Sequence, residues 1–248
     1  MILCMDIGNT NIKCALGEAN NYATASFETQ KLTCAQDFEN FIDESFGADI
    51  WGKLRGCALA SVVPERCAII TQLLHEKNVL LRRLEPSTCE VDFSRYQSVL
   101  GEDRAVCTFA AANKYPLPLV VIDFGTATTI NVVDENKVFL GGAIAAGIQT
   151  GLLALTARTA QLPPVALNQT PKLIGQNTTE ALVSGALIGA ACLAQGYIRL
   201  LEAELGILSS IIVTGGNAAK VLPVLGDSIE HEPTLLMDGL FMLYSHVN

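Results

Sequence analysis

The sequence predicts an α/β protein built from two similar halves. Two observations carry that prediction. The segments ILCMDIGNTNIKCAL and LVVIDFGTATTINVV repeat one device: an apolar strand, an aspartate, one apolar residue, a glycine, a run of small hydroxyl or amide residues, and a second strand. Their aspartates, Asp6 and Asp123, stand 117 residues apart (123 − 6), close to half of the 248-residue chain. A period that long is not a solenoid, whose repeats run about 20–50 residues. The expected division is therefore 1–115 and 116–248.

The elements follow in order. Runs at 2–5 and 12–16, broken by Gly8-Asn9-Thr10-Asn11, read as a hairpin. A third strand is expected over 22–27. Phe38, Phe41, Ile42 and Phe46 share one face of an amphipathic helix. A buried strand covers 56–62, and Pro64 sits where the first turn of a helix begins, its apolar face continued by Ile69, Ile70, Leu73 and Leu74. A strand at 79–84, a polar loop and a helix over 105–113 complete the first half. In the second, strands are expected at 119–123, 128–133, 137–144 and 210–214, with helices at 147–158, 178–204, 216–224 and 234–245. A proline-bearing loop spans 162–171.

Composition narrows the class. Half of the residues are hydrophobic, so enough apolar area exists to offset ordering entropy, and a disordered chain is excluded. The net charge of −9, with no basic run, argues against a nucleic-acid partner. The eight cysteines contain no C-x-x-C pair, and the N-terminus lacks the basic and long apolar regions of a signal peptide. Reduced, largely core cysteines in a cytoplasmic protein are expected. Residues 181–198 are uncharged, carry Gly185-x-x-x-Gly189 and just reach the length of a membrane span. Their Ala/Gly content, with Ser184, Gln195 and the flanking Glu180 and Arg199, favours a buried helix that another element approaches closely.

The chemistry gathers at two kinds of site. In a D-x-G-N-T turn the glycine lets backbone approach an anion, and turn N–H groups donate to phosphate oxygens. Thr10 and Lys13 add donors. Two aspartates would bring negative charge toward phosphate unless a cation lies between, so the pair of turns implies a metal–nucleotide clamp in the cleft between halves. Gly101-Glu102-Asp103-Arg104 opens a helix. It reads equally as a cap with a surface pair, or as a base (Asp103) for an attacking hydroxyl beside an arginine fork for a carboxylate. No P-loop, protein-kinase set or H-E-x-x-H occurs.

These motifs resemble the type III pantothenate kinases over essentially the whole chain. The matches are Asp6 to Lys13, Ser61-Val62-Val63-Pro64, Gly101 to Arg104, Asp123 to Thr129, Gly141-Gly142-Ala143-Ile144, Thr156 to Pro163, Asn177-Thr178 and Thr214-Gly215-Gly216. The resemblance implies a duplicated ribonuclease-H-like fold of the actin, sugar kinase and heat-shock ATPase type, with the nucleotide between the halves. It implies transfer of the γ-phosphate of ATP to the primary hydroxyl of pantothenate, the first step of coenzyme A biosynthesis. It assigns ATP binding to Asp6, Ile7, Gly8, Asn9, Thr10, Asn11, Ile12, Lys13 and Thr126. Pantothenate binding falls to Gly101, Glu102, Asp103, Arg104 and Thr178, with Asp103 as proton acceptor. A monovalent cation, K+ or NH4+, is implied at Asp123, a divalent ion (Mg2+) with ATP, and a homodimer. The competing class is a non-catalytic nucleotide-binding accessory protein on the same scaffold; retention of Asp6, Asp103, Arg104 and Asp123 favours the enzyme. Two departures stand out. Ala146 replaces the family's proline before Gly147, which predicts a softer loop. The family's aromatic pantothenate contact falls in register with Ser94, flanked by Phe93 and Tyr96, and stays unassigned.

Overall fold

The computed structural model of the chain describes residues 1–85, 89–206, 208–226 and 229–246. The first half runs β1 (Ile2–Ile7), β2 (Asn11–Glu18), β3 (Asn21–Glu28), α1 (Ala35–Phe46), β4 (Gly56–Ser61), α2 (Pro64–Glu76), β5 (Leu81–Arg82) and α3 (Glu102–Lys114). The second runs β6 (Leu119–Phe124), β7 (Ala127–Val133), β8 (Phe139–Ala146), α4 (Ile148–Arg158), α5 (Thr178–Leu205), β9 (Ser210–Thr214), α6 (Ala218–Leu225), β10 (Glu230–His231) and α7 (Leu235–His246).

Each half forms a five-stranded sheet, ordered β3-β2-β1-β4-β5 and β8-β7-β6-β9-β10. In both, the first three strands pair antiparallel and the fourth and fifth add in parallel. The duplication read from the hairpins thus extends to sheet order and strand direction. Asp6 and Asp123 hold the same register, each the penultimate residue of its central strand. β1 and β6 are apolar almost throughout, as strands covered on both faces must be.

The chain separates into two compact units. One comprises 1–92, 96–113 and the segment from Thr234 on; the other comprises 93–95 and 114–233. In the first unit, α1 and α2 contribute Phe38, Ile42, Ile70 and Leu74 to a core with Leu3, Met5, Ile12 and Leu59. On a second cluster, Val106 and Phe109 of α3 and Leu240 and Phe241 of α7 pack with Cys4, Ala15, Ala58 and Ala60. The sequence division puts α7 with the second half, whereas here it packs on β1 and β4. Gly239 permits that approach, because a Cβ there would lie 2.8 Å from Val106 Cγ1 and 2.9 Å from its carbonyl oxygen. Tyr22 fixes α7 further, stacking on Phe241 at 4.9 Å and donating to Asp238 at 3.0 Å.

In the second unit, α4, α5 and α6 cover Val120, Ile122, Phe124 and Ile130 of the sheet. α5 is capped by Asn177, whose side chain accepts from the Glu180 N–H at 2.9 Å, while Glu180 accepts from Gln176 N–H. Only one stripe of α5 is buried: Val183, Leu187, Ala191, Ala194 and Ile198. Only 22% of its most apolar stretch is buried, so the helix expected to be buried is covered along one stripe alone. None of the eight cysteines is in a disulfide; Cys4, Cys14, Cys57, Cys67 and Cys107 are buried, Cys34 and Cys192 exposed. Burial pushes the thiols of Cys4 and Cys14 well above their ordinary range.

Candidate active site

The first unit presents its turn at the end of β1. Asp6 is buried, opposite Lys13 in the β1–β2 ladder. Gly8 N–H donates to the Asn11 carbonyl at 3.1 Å, closing the hairpin. A Cβ on Gly8 would sit 3.1 Å from that same oxygen, so the residue is bare where the turn is tightest. Thr29, only 3% exposed, pins the turn from beyond β3: its hydroxyl donates to the Gly8 carbonyl at 2.7 Å and its N–H to the Thr10 carbonyl at 3.0 Å. Asn9, Thr10 and Lys13 are exposed, and Gly8 and Asn11 are partly so. Ile7 and Ile12 are wholly buried, and the turn between them carries the exposed residues.

The same unit carries Gly101 to Arg104 at the start of α3. The Ala105 N–H bonds to the Gly101 carbonyl at 3.0 Å, and Asp103 Oδ1 accepts from the Arg104 N–H at 2.8 Å. A Cβ on Gly101 would fall 2.6 Å from Asp103 Oδ1, so glycine is what lets that carboxylate fold back over the helix start. Arg104 is 8% exposed; its Nη1 donates to the Tyr96 hydroxyl at 3.2 Å, and its guanidinium lies 5.6 Å from the Tyr96 ring centre. The Arg104 hydrogen bond, with another from Ser98, holds the Tyr96 phenol below its ordinary pKa. Glu102 is engaged within the protein: Oε2 accepts from the Ser61 N–H at 2.9 Å, Oε1 from Arg83 Nη2 at 2.6 Å. The two aromatics flanking Ser94 therefore part company. Tyr96 borders Arg104, whereas Phe93 packs on Phe139 at 5.4 Å within the second unit.

The second unit repeats the turn after β6. Gly125 N–H donates to the Ala127 carbonyl at 3.1 Å, as Gly8 does to Asn11. The Thr126 side chain is exposed, and its carbonyl accepts from Gly147 N–H at 3.1 Å and Thr150 Oγ1 at 2.7 Å. Ala146 closes β8 opposite Ala127, so the loop where the family has proline is tied by its ladder partner and by Gly147. A Cβ on Gly147 would collide with the Thr126 carbonyl oxygen and reach within 2.5 Å of that of Gly125. Gly215, at φ +96°, lies against Asp123: a Cβ there would run into Asp123 Oδ1 and stand 2.7 Å from the Phe124 backbone. Asp123 thus sits in a cradle kept open by Gly215 and Gly125. That arrangement fits a cation with oxygen ligands. Among the described residues no group of three or more His, Cys, Asp or Glu side chains forms a metal cage. A divalent ion carried on substrate phosphates needs only one or two carboxylates. Thr178, also in this unit, is exposed at the first position of α5.

Thr29, Ser61 and Arg83 escaped the sequence reading as site supports. Their contacts span 21, 41 and 19 residues, and no local spacing signals them.

Comparison with known proteins adds the family. Residues 2–200 match the family model described as type III pantothenate kinase. The type III pantothenate kinase of Thermomicrobium roseum is 33% identical over 261 positions, covering 100% of this chain and 98% of that one. That of Moorella thermoacetica is 32% identical, with 98% of both covered. Among solved structures, the activator of the 2-hydroxyisocaproyl-CoA dehydratase from Clostridium difficile, with bound ADPNP, aligns with a TM-score of 0.52 at 11% identity, covering 99% of this chain and 94% of that one. A glucokinase from an Antarctic psychrotroph aligns at 0.52 and 13%, with 98% of each covered. At those identities the structural likeness speaks for the fold alone.

Proposed function

The chain belongs to the type III pantothenate kinase family, and from that premise we propose how its own residues transfer the γ-phosphate of ATP to the primary hydroxyl of pantothenate, giving 4′-phosphopantothenate. The observation that carries the reading is the start of α3, where Gly101 makes room for the Asp103 carboxylate beside a mostly buried Arg104. Asp103 accepts the hydroxyl proton as that oxygen attacks the γ-phosphorus. Arg104, steadied by Tyr96, offers a fork to the pantothenate carboxylate. Tyr96 is the aromatic neighbour of that substrate. Thr178 is the further pantothenate contact that the family implies.

The turn from Asp6 to Lys13 binds ATP phosphates through the backbone N–H groups that follow Gly8, the Thr10 hydroxyl and the Lys13 ammonium; Thr126 is the further ATP contact that the family implies. Asp6 takes part through the divalent ion that accompanies ATP. Asp123, in its glycine cradle, would hold the monovalent cation, K+ or NH4+, that the family implies. Such a cation supplies positive charge that offsets the phosphates when bound.

The enzyme acts in the cytoplasm as a homodimer, without nucleic-acid or membrane partners. Of the two helices rich in small residues, α3 is buried from Arg104 to Ala112, which leaves α5 for the contact between copies. Its groove with α4, lined by Gly151, Ala181, Gly185 and Gly189, has a volume of about 460 Å³, and Leu153, Leu155 and Leu200 stand exposed on the two helices. Light scattering on the purified chain tests this by its mass.

The decisive assay mixes the purified protein with ATP, pantothenate and Mg2+, in K+ or in Na+, and measures 4′-phosphopantothenate. Product in K+ and little in Na+ is expected. No product in either salt would favour the accessory-protein reading, and equal product in both would remove the cation from Asp123. Asp103→Asn should lower turnover about 100- to 10,000-fold while ATP still binds.

A further inference from the structure

The segment Ser61-Val62-Val63-Pro64 has no part in the reaction as read so far, yet it lies between the two working parts of the first unit. Ser61 ends β4 opposite Ile7, and the Val62 N–H bonds to the Ile7 carbonyl at 3.1 Å, one step beyond the ladder. The Ser61 N–H takes no strand partner and donates to Glu102 Oε2 at 2.9 Å. The Ser61 hydroxyl accepts from the Val63 N–H at 3.1 Å, turning the chain into α2. On the other side of the same carboxylate, Arg83, just past β5, donates to Oε1 at 2.6 Å. Val62 Cγ1 lies 3.6 Å from where a side chain on Gly101 would begin.

The first residue of α3 is therefore tied to the ends of two neighbouring strands, and Asp103 is the next residue along. A short path of hydrogen bonds runs from the Gly8 turn through Ile7, Val62 and Ser61 to Glu102. Both Glu102 oxygens are engaged inside the protein, which leaves that carboxylate poorly suited to contact substrate. Its pair with Arg83 is partly exposed, at 28% and 40% for the two side chains, and a pair so placed adds little to stability. What it fixes is position.

We propose that Glu102 is a positioning residue for Asp103, acting through the Ser61 N–H and Arg83, and not a pantothenate contact. The proposal rests on the reading of Asp103 as the base. Misplacement of a reacting group by about 1 Å can lower a rate about 100-fold. Glu102→Ala should therefore lower kcat about 10- to 100-fold, with KM for pantothenate and ATP little changed and thermal unfolding close to wild type. Arg83→Ala should lower kcat in the same sense, the double variant should be no slower than Glu102→Ala, and Arg83→Lys should recover part of the loss. Glu102→Gln keeps the shape and an acceptor for Ser61 should the alanine variant not fold, and it should fall between wild type and Arg83→Ala. A raised pantothenate KM at unchanged kcat would make Glu102 a substrate contact and overturn the proposal; additive losses in the double variant would overturn it as well. Asp103→Asn, assayed alongside, separates the two readings. If it is inactive while Glu102→Ala keeps full kcat, the positioning role alone fails; if it keeps activity, the base assignment fails first.

Discussion

The turns that end β1 and β6 share a ladder position and a closing hydrogen bond, but each is braced differently. In the first unit the parallel neighbour β4 ends on Ser61, whose N–H reaches out to Glu102 at the start of α3. In the second, β9 runs on into Gly215, whose bare backbone lies against the Asp123 carboxylate. The loop returns to its central strand two residues on, through the Asn217 N–H to the Phe124 carbonyl at 3.1 Å. One place in the duplicated sheet thus steers a helix in one copy and keeps space beside an acid in the other. Duplication retains the ladder; the residue at its end, Ser61 in one unit and Gly215 in the other, decides the task.

The sharpest way to break this comparison is Gly215→Ala. It adds a Cβ at a positive φ, straight onto Asp123, and strain and overpacking together cost about 2–5 kcal/mol. Turnover should fall by more than about 100-fold, and the unfolding temperature should drop. Retention of K+-stimulated activity would show that the cradle is not needed. The first unit should answer more mildly to Thr29→Val, which leaves the Gly8 carbonyl without its hydroxyl donor. A loss of about 1–2 kcal/mol in thermal or urea unfolding is expected, with a raised KM for ATP and an unchanged one for pantothenate.

The smallest effect should appear in alkali, on the substrate side of the first unit. Arg104 lowers the pKa of Tyr96, so the phenolate forms below the ordinary value of about 10. The pair's extra stability is present above the unfolded pKa and is lost as pH falls through the folded one. As pH climbs toward its depressed pKa, the phenolate should hold Arg104 more tightly, and the KM for pantothenate should rise. Tyr96→Phe should flatten that rise. A wild-type KM that stays level to pH 10 would disconnect the pair from substrate binding.

The parts legible in the sequence are those written locally. Asp6-Ile7-Gly8 and Asp123-Phe124-Gly125 announce themselves because strand alternation, turn glycine and second strand lie within about 15 residues of one another. Gly101 to Arg104 marks a helix start for similar reasons. Burial around α5 is not legible, because small residues pack equally well inside a fold or along a groove on its surface. The strand expected at 79–84 pairs only at Leu81–Arg82, on the sheet edge, where one side lacks a partner to extend it. The partners of Glu102 and the home of α7 depend on residues far along the chain. An apolar stripe says that a helix must be covered, not by which sheet.

The homing of α7 has a consequence for synthesis. Chains emerge from the ribosome N-terminus first, and domains tend to fold as they appear. Here Ile2, Cys4, Ala58 and Ala60 pack with Leu240 and Phe241, which are made long after them. The first unit cannot seal that face until α7 has been made. A nascent chain stalled before Thr234 would carry an open apolar surface for a chaperone to shield.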